Sequence, residues 1–337
     1  MPADRNAQRI VLAGASSLLG NEVKSLLEES RFAGWDLRLV DEEPAVGTIT
    51  EAAGEAAIIQ RVEEDTFKGA RFAFLATSQA FGRQCLGPAR AAGATVIDFS
   101  HAALSDPDAT PWFSRIESLT GMNVLRSAKT FSVFSVGGMA VASLALALRR
   151  YGVHRLMAVL NEPVSESGRE GIEELETQTS QLLSFQSIGN PVFGTQAAFT
   201  MLPHFGNESR QSLQQGLLEM RAEVSSVLTE PGEDAKISMN LVHAPVFYGM
   251  AFSICVDLGE EVEAAALAET CRAAGFTIVP ATEEGPSNVS VAGESGLFLS
   301  EPRAELTRAQ SWWFWGVGDN LRVPAWNGLK LAELLDS

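Results

Sequence analysis

Residues 10–29 commit this chain to a strand–turn–helix unit. An apolar run at 10–13 reads as a buried parallel strand, and 21–29 carries Val23, Leu26 and Leu27 at helical spacing. The join is Gly14-Ala-Ser-Ser-Leu-Leu-Gly20, a dinucleotide-binding fingerprint with serine in place of its middle glycine. Gly14 permits the tight turn and Gly20 lets the helix pack closely on the strand. The free N–H groups of such a helix start attract a pyrophosphate. Ser17, however, places a side chain where a backbone pressed against phosphate needs none. The candidate cofactor site is therefore Gly14, Ala15, Ser16, Ser17, Leu18, Leu19 and Gly20 with Asp41, read as a vestigial or weak one.

The same alternation continues downstream. Predicted strands at 10–12, 37–40, 58–61, 72–75 and 95–99 interleave with helices at 21–30 and 80–92. Strands alternating with helices imply a doubly wound parallel sheet of the Rossmann-like α/β class. From about Phe131 the texture changes. Helices are expected at 139–150, 169–183, 212–228 and 260–274, with strands at 155–160 and 247–258, then a strand from Trp312 and a helix at 326–335. The domain reading is a dinucleotide-binding-like domain over 1–132, to which a C-terminal helix at 324–337 returns, and a second domain over 133–323.

Bulk properties exclude several roles. A net charge of −17 argues against nucleic acid, because binding a phosphate backbone needs clustered Lys and Arg. No apolar run reaches the roughly 18 residues of a membrane span, and the longest, 133–148, is interrupted by Ser135, Gly137, Gly138 and Ser143. The first residues carry no basic-then-apolar leader pattern. Cys85, Cys255 and Cys271 are too few and too scattered for a disulfide framework or a metal site, so the expected compartment is a reducing cytoplasm.

Six segments in order then carry a specific resemblance. They are Ala13-Gly-Ala-Ser-Ser-Leu-Leu-Gly20, Val96-Ile-Asp-Phe-Ser100, Val164-Ser-Glu-Ser-Gly-Arg-Glu-Gly-Ile-Glu-Glu-Leu175, Leu202-Pro-His204, His243-Ala-Pro-Val-Phe-Tyr-Gly249 and Asp319-Asn-Leu-Arg322. With them the chain resembles the aspartate-semialdehyde dehydrogenase family, which reductively dephosphorylates aspartyl phosphate with NADPH. The resemblance implies a Rossmann-like domain followed by an α+β dimerisation and substrate domain, and hence a homodimer. A heterodimer with an active family member is the alternative assembly.

The departures from the family pattern cluster where its chemistry lies. The resemblance implies a cysteine nucleophile at the start of a helix. Matching the turn puts a glycine there, Gly137 or Gly138, whereas counting back without gaps from Gly152 puts Ser135 there. The implied general-base histidine is Met250, which accepts no proton. The implied carboxylate-gripping arginine is His243, the glutamine beside the nucleophile is Glu162, and two further cations fall at Leu104 and Glu219. Glu223 matches an acidic family residue. Asp41, Glu42 and Glu43 would repel the 2′-phosphate of NADP, so NAD is favoured over NADP as any cofactor.

No catalytic residue is assigned on this reading. Ser135 beside His101, His204 or His243 is the only replacement nucleophile–base pair to be imagined, and a helix cap is the simpler role for that serine. His154 reads as a surface residue, and the aromatic run 312–315 as core or interface packing. The sequence thus points to a homologue that has lost catalysis and keeps the dimeric fold for a binding, regulatory or structural role. The alternative is an NAD(P)-dependent semialdehyde dehydrogenase of amino-acid biosynthesis with a rearranged active site.

Overall fold

The computed structural model describes residues 8–52, 54–123, 128–228 and 232–337; the leader reading falls on residues outside these. The chain divides into two compact units. One comprises Met1–Glu117, Met122–Phe134 and Pro324–Ser337, and the other Ser118–Gly121 and Ser135–Val323.

The first unit runs β1 (Arg9–Ala13), α1 (Leu18–Glu28), β2 (Asp36–Val40), β3 (Ile49–Ala52), β4 (Glu55–Ile58), β5 (Ala70–Leu75), α2 (Gln79–Ala91), β6 (Thr95–Asp98), β7 (Thr110–Trp112), α3 (Ile116–Thr120) and β8 (Thr130–Val133). Six of the strands form a sheet in the order β2-β1-β5-β6-β8-β7, parallel throughout. Its strands are apolar on both faces, with Val11, Leu12, Phe72, Phe74 and Ile97 fully buried, as a sheet covered on both sides requires. The strand expected at 58–61 is not part of this sheet. Ile49 and Ile58 instead pair in the surface hairpin β3–β4, both well exposed, and Gln60 makes only an isolated bridge to Val40.

The second unit runs α4 (Val136–Leu148), β9 (Arg155–Glu162), α5 (Gly168–Leu183), α6 (Leu213–Val227), β10 (Ile237–His243), β11 (Met250–Asp257), α7 (Ala264–Ala273), β12 (Phe276–Val279), β13 (Leu297–Ser300), β14 (Arg303–Ala304) and β15 (Ser311–Gly318). Its mixed sheet has the order β10-β9-β11-β15-β13-β12, with β14 paired to β15. Even-numbered residues of β9 (Leu156, Ala158, Leu160) are buried, while Val159 faces out. The run 133–148 resolves into the end of β8, a turn and α4, a helix buried at every position but Ala147. No helix among the described residues is long and apolar enough to cross a membrane.

The last helix, α8 (Arg322–Leu335), belongs from Pro324 onward to the first unit. Trp112 Nε1 donates to Asn327 O, Arg71 reaches the carbonyl of Leu335, and Gly328 lies against the Phe99 ring. Strands β10, β12 and β13 have no counterpart in the sequence reading. Strand β10, for example, alternates Ile237, Met239 and Leu241 with Ser238 and Asn240, a period-two pattern that the sequence reading did not take up.

Candidate functional site

Two helix starts carry the positions singled out by the sequence. At the first, Gly14 has φ +85°, and a Cβ there would collide with the carbonyl of Ala76. Ser17 is the N-cap of α1: its Oγ accepts from Gly20 N at 2.8 Å and donates to Ala76 O at 2.7 Å. Asp41, almost fully buried, accepts from both Ser16 N and Ser16 Oγ at 2.7 Å through Oδ2, and from Glu42 N at 2.8 Å through Oδ1. Gly14 N and Ala15 N bond to Val40 O, and Ser17 N to Gly14 O.

Between Gly14 and Gly20, Leu18 N–H and Leu19 N–H are therefore the donors left without an acceptor among the described residues. Asp41 has used three of its roughly four acceptor positions. The three neighbouring carboxylates are also less repulsive than their sequence suggests. Arg61 pairs with Glu43 at 2.8 Å, and Glu42 accepts from Ser78 Oγ.

The second helix start carries the three positions left open above, Ser135, Gly137 and Gly138. Ser135 is the N-cap of α4, its Oγ accepting from Gly138 N at 3.1 Å. The same Oγ donates to Glu223 Oε2 at 2.6 Å, and Ser135 N donates to Glu223 Oε1 at 2.8 Å. Glu223, on α6, has no solvent exposure. A Cβ on Gly138 would fall on its Oε2, and a Cβ on Gly137 would press on the sulfurs of Met220 and Met250 and on Leu160. The space in front of this helix is thus filled by one carboxylate and two thioethers. None of His101, His204 and His243 is bonded to Ser135; its partner is Glu223.

Three strand ends complete the second site. Glu162 ends β9 and His243 ends β10, and the two are register partners on the buried face of the sheet. Met250 opens β11, beyond the pair Ala251–Asn161. His243 has its own partner. Its Nε2 lies 3.2 Å from Ala197 O, and its ring packs against Phe193 and Phe205. Burial lowers its pKa below the usual histidine value, so the ring is neutral near pH 7.

The loop that holds His243 is ordered from α5. Gln178 Oε1 accepts from Ala197 N and Ala198 N, and Glu174 accepts from Val192 N and Phe193 N. Leu202 bridges to His243, so the Leu202-Pro-His204 segment also serves to place it. The Asp319-Asn320 turn works similarly. Asn320 Nδ2 donates to Glu166 Oε1 at 3.0 Å and its Oδ1 accepts from Gly249 N at 2.9 Å, fixing both segments at the strand ends.

The acidic residues around Glu162 were legible one at a time but not as a group. Burial raises the pKa of Glu162 well above the ordinary carboxylate value, and the charges of Glu166 and Glu219 raise it further. Glu219 accepts from Gln215 Nε2 at 2.8 Å. The cysteines are inert by comparison. Burial pushes the thiols of Cys85 and Cys271 to about 12, and that of Cys255 upward. His154 is exposed. In the run 312–315, Trp312 and Phe314 are buried, while Trp315 is partly exposed and donates to Pro286 O.

Two family models match the chain: "Semialdehyde dehydrogenase, NAD binding domain" over residues 9–119, and "Semialdehyde dehydrogenase, dimerisation domain" over 145–323. A USG-1 protein homolog of Azotobacter vinelandii is 29% identical over 341 residues, covering 97% of each chain. The aspartate-semialdehyde dehydrogenase of Aquifex aeolicus is 24% identical, again over 97% of each. Among solved structures, a probable aspartate-semialdehyde dehydrogenase from Pseudomonas aeruginosa superposes with TM-score 0.85 at 27% identity, covering 98% of this chain and 99% of that one. Aspartate semialdehyde dehydrogenase II of Vibrio cholerae superposes with TM-score 0.83 at 22% identity over 98% of each, which shows the shared fold.

Proposed function

The chain belongs to the semialdehyde dehydrogenase family, and on that premise we propose that it is a member that no longer performs the family's chemistry and acts through binding instead. The supporting observation is the start of α4. Of the positions that the family resemblance leaves for a nucleophile, Gly138 has Glu223 Oε2 where a side chain would go, Gly137 has the sulfurs of Met220 and Met250, and Ser135 is the helix cap. The position given to the base is Met250, fully buried. Ser135 is committed on both sides of its hydroxyl, as helix cap and as donor to Glu223. His243, at the place of the implied arginine, is held below the usual histidine pKa by burial and is bonded to Ala197 O.

The first loop supports the same reading. The residues from Gly14 to Gly20, with Asp41, do not fit a bound dinucleotide as they stand. Ser16 and Ser17 side chains satisfy the groups that would meet the pyrophosphate and ribose, and two backbone donors remain. We read the site as vestigial, with NAD rather than NADP the dinucleotide it would take, since Asp41 and Glu42 stay unpaired by any cation among the described residues.

The assembly is proposed as a homodimer through the second unit. Val159, Ser253 and Trp315 stand in one row across β9, β11 and β15, with Val159 and Trp315 both about two-fifths exposed, at 41% and 42%. Such a face of a sheet calls for cover. The experiment for the catalytic half is an assay of phosphate-dependent oxidation of aspartate semialdehyde with NAD or NADP. Loss of a nucleophile and base that act as a unit predicts a rate lower by about 10⁴ or more than an active relative. A rate within tenfold of that relative would refute the reading.

A further inference from the structure

The segment that joins α5 to α6 carries two phenylalanines in which a disfavoured backbone and an exposed ring coincide. Phe185, just past the end of α5, has φ +59°, and Phe199 has the same value. In that left-handed region a side chain crowds the backbone, which is why glycine or asparagine usually closes a helix. Phe185 stands at such a closure: its N–H donates to Leu182 O, and Gln186 N–H donates to Gln181 O. Phe185 is also 99% exposed and Phe199 64%. Within a single chain, neither ring gains burial to offset the strained backbone that presents it.

The rings stand on a well-held segment. Gln178 Nε2 donates to Gly189 O and Thr195 O, and its Oε1 accepts from Ala197 N and Ala198 N, next to Phe199. Phe193 and Phe205, from the same segment, are buried. Large apolar side chains held out in this manner form a surface suited to a protein partner.

The place of the segment in the fold indicates which partner. Leu202 pairs with the buried His243. Side chains alternate along extended backbone, so the exposed Met201 falls on the opposite face of the sheet. That is the face of Val242 and of the row Val159, Ser253 and Trp315. The segment thus continues the face assigned above to a second copy. Area favours the same occupant. A stable interface takes about 800 Å² from each partner, and Val159 and Trp315 are more than half covered already. Phe185 and Phe199 together offer on the order of 300 Å² more. A net charge of −17 disfavours an anionic lipid surface instead.

We infer that Phe185 and Phe199 form a docking arm that seats on a second copy of this chain, beside the contact made by the sheet face. The inference rests on the reading that the second unit pairs with a second copy.

Sedimentation of the full chain over a concentration series tests it, with subunit exchange between two labelled pools giving the dissociation rate where the dimer is too tight to dilute apart. Phe185→Gly with Phe199→Gly removes both rings and relaxes both backbone positions. It should raise the dissociation constant, or speed exchange, by about tenfold or more. Phe185→Asn with Phe199→Asn should act alike, because asparagine also accepts this conformation. Leu218→Ser, an exposed site on α6, which packs on the buried face of the sheet, should change neither quantity. In a Val159→Glu background, where a charge on the sheet face should give a monomer, the glycine pair should leave the melting temperature unchanged or raised. A lowered melting temperature there would show that the rings pack within their own chain, and would overturn the arm. A chain that is monomeric throughout, or a dimer that Val159→Glu leaves whole, refutes the sheet-face dimer and the arm with it. A dimer that Val159→Glu breaks, but that both double variants leave within about twofold of the parent, overturns the arm alone.

Discussion

The two helix starts, of α1 in the first unit and α4 in the second, are built alike and closed to different degrees. In each, a serine caps the helix by accepting from the glycine N–H three residues on: Ser17 from Gly20, and Ser135 from Gly138. In each, a distant carboxylate accepts from a backbone N–H of the turn: Asp41 from Ser16, and Glu223 from Ser135. The positive end of each helix, which attracts anionic ligands, is neutralised by the protein's own groups. The difference lies in what surrounds them. Around α1, Ser16 is exposed and two donors remain free of protein partners, so the closure is a few polar bonds at the surface. Around α4, Glu223 is sealed from solvent and Met220, Met250 and Leu160 pack on Gly137. One start is closed by hydrogen bonds, and the other is filled.

That contrast can be broken by substitution. The largest effect is expected at Gly14, where φ is positive and the obstruction is the Ala76 backbone, which cannot give way. Gly14→Ala should cost about 3 kcal/mol or more, read as a lowered denaturation midpoint. Glu223→Ala comes next. It empties a buried site and leaves Ser135 N–H unpaired, for a loss of about 3 kcal/mol, while Asp41→Ala, at a more open site, should cost less, about 1–2 kcal/mol. Equal losses for the two would mean that the first helix start is as filled as the second.

Gly138→Ala probes the filling directly. Its Cβ meets the end of a side chain rather than backbone, so the cost should be about 1–3 kcal/mol, and Glu223→Ala in the same chain should remove most of it. Ser17→Ala and Ser135→Ala should each cost about 1 kcal/mol as lost caps. The smallest effect concerns Glu162. Its folded-state pKa is raised, so the folded chain binds more protons than the unfolded one from the ordinary value of 4.5 upward. Stability therefore falls as pH rises through that window, and the full penalty remains above the folded pKa. Glu162→Gln should be more stable than the parent at pH 8, with the advantage shrinking as pH falls toward 4.5. A pH-independent difference would assign the effect to packing.

Much of the fold was legible because its signals are local. The apolar runs of β1–α1 and β5–α2 and the glycine turn of the first lie within about twenty residues, and the structure keeps both strand–helix pairs close to those positions. The strand expected at 58–61 was misplaced, because an apolar run alone does not say whether a strand is central or exposed; Ile58 ends a surface hairpin instead. At the sites, the sequence supplied the residue types but not their partners. The bond from Ser135 to Glu223 spans 88 residues and that from Ser16 to Asp41 spans 25, and no spacing rule predicts either. Nor could the sequence show that burial would lower the pKa of His243, since that follows from the packing of Phe193 and Phe205 around it.

The central claim, that the filled start of α4 cannot support the family's chemistry, is tested most directly by following nicotinamide absorbance. The purified chain is mixed with aspartate semialdehyde and phosphate in the presence of NAD or NADP. The account predicts no rate above background with either cofactor, and none in Ser135→Ala. A measurable rate that Ser135→Ala abolishes would contradict it, because Ser135 would then be a nucleophile and not a cap.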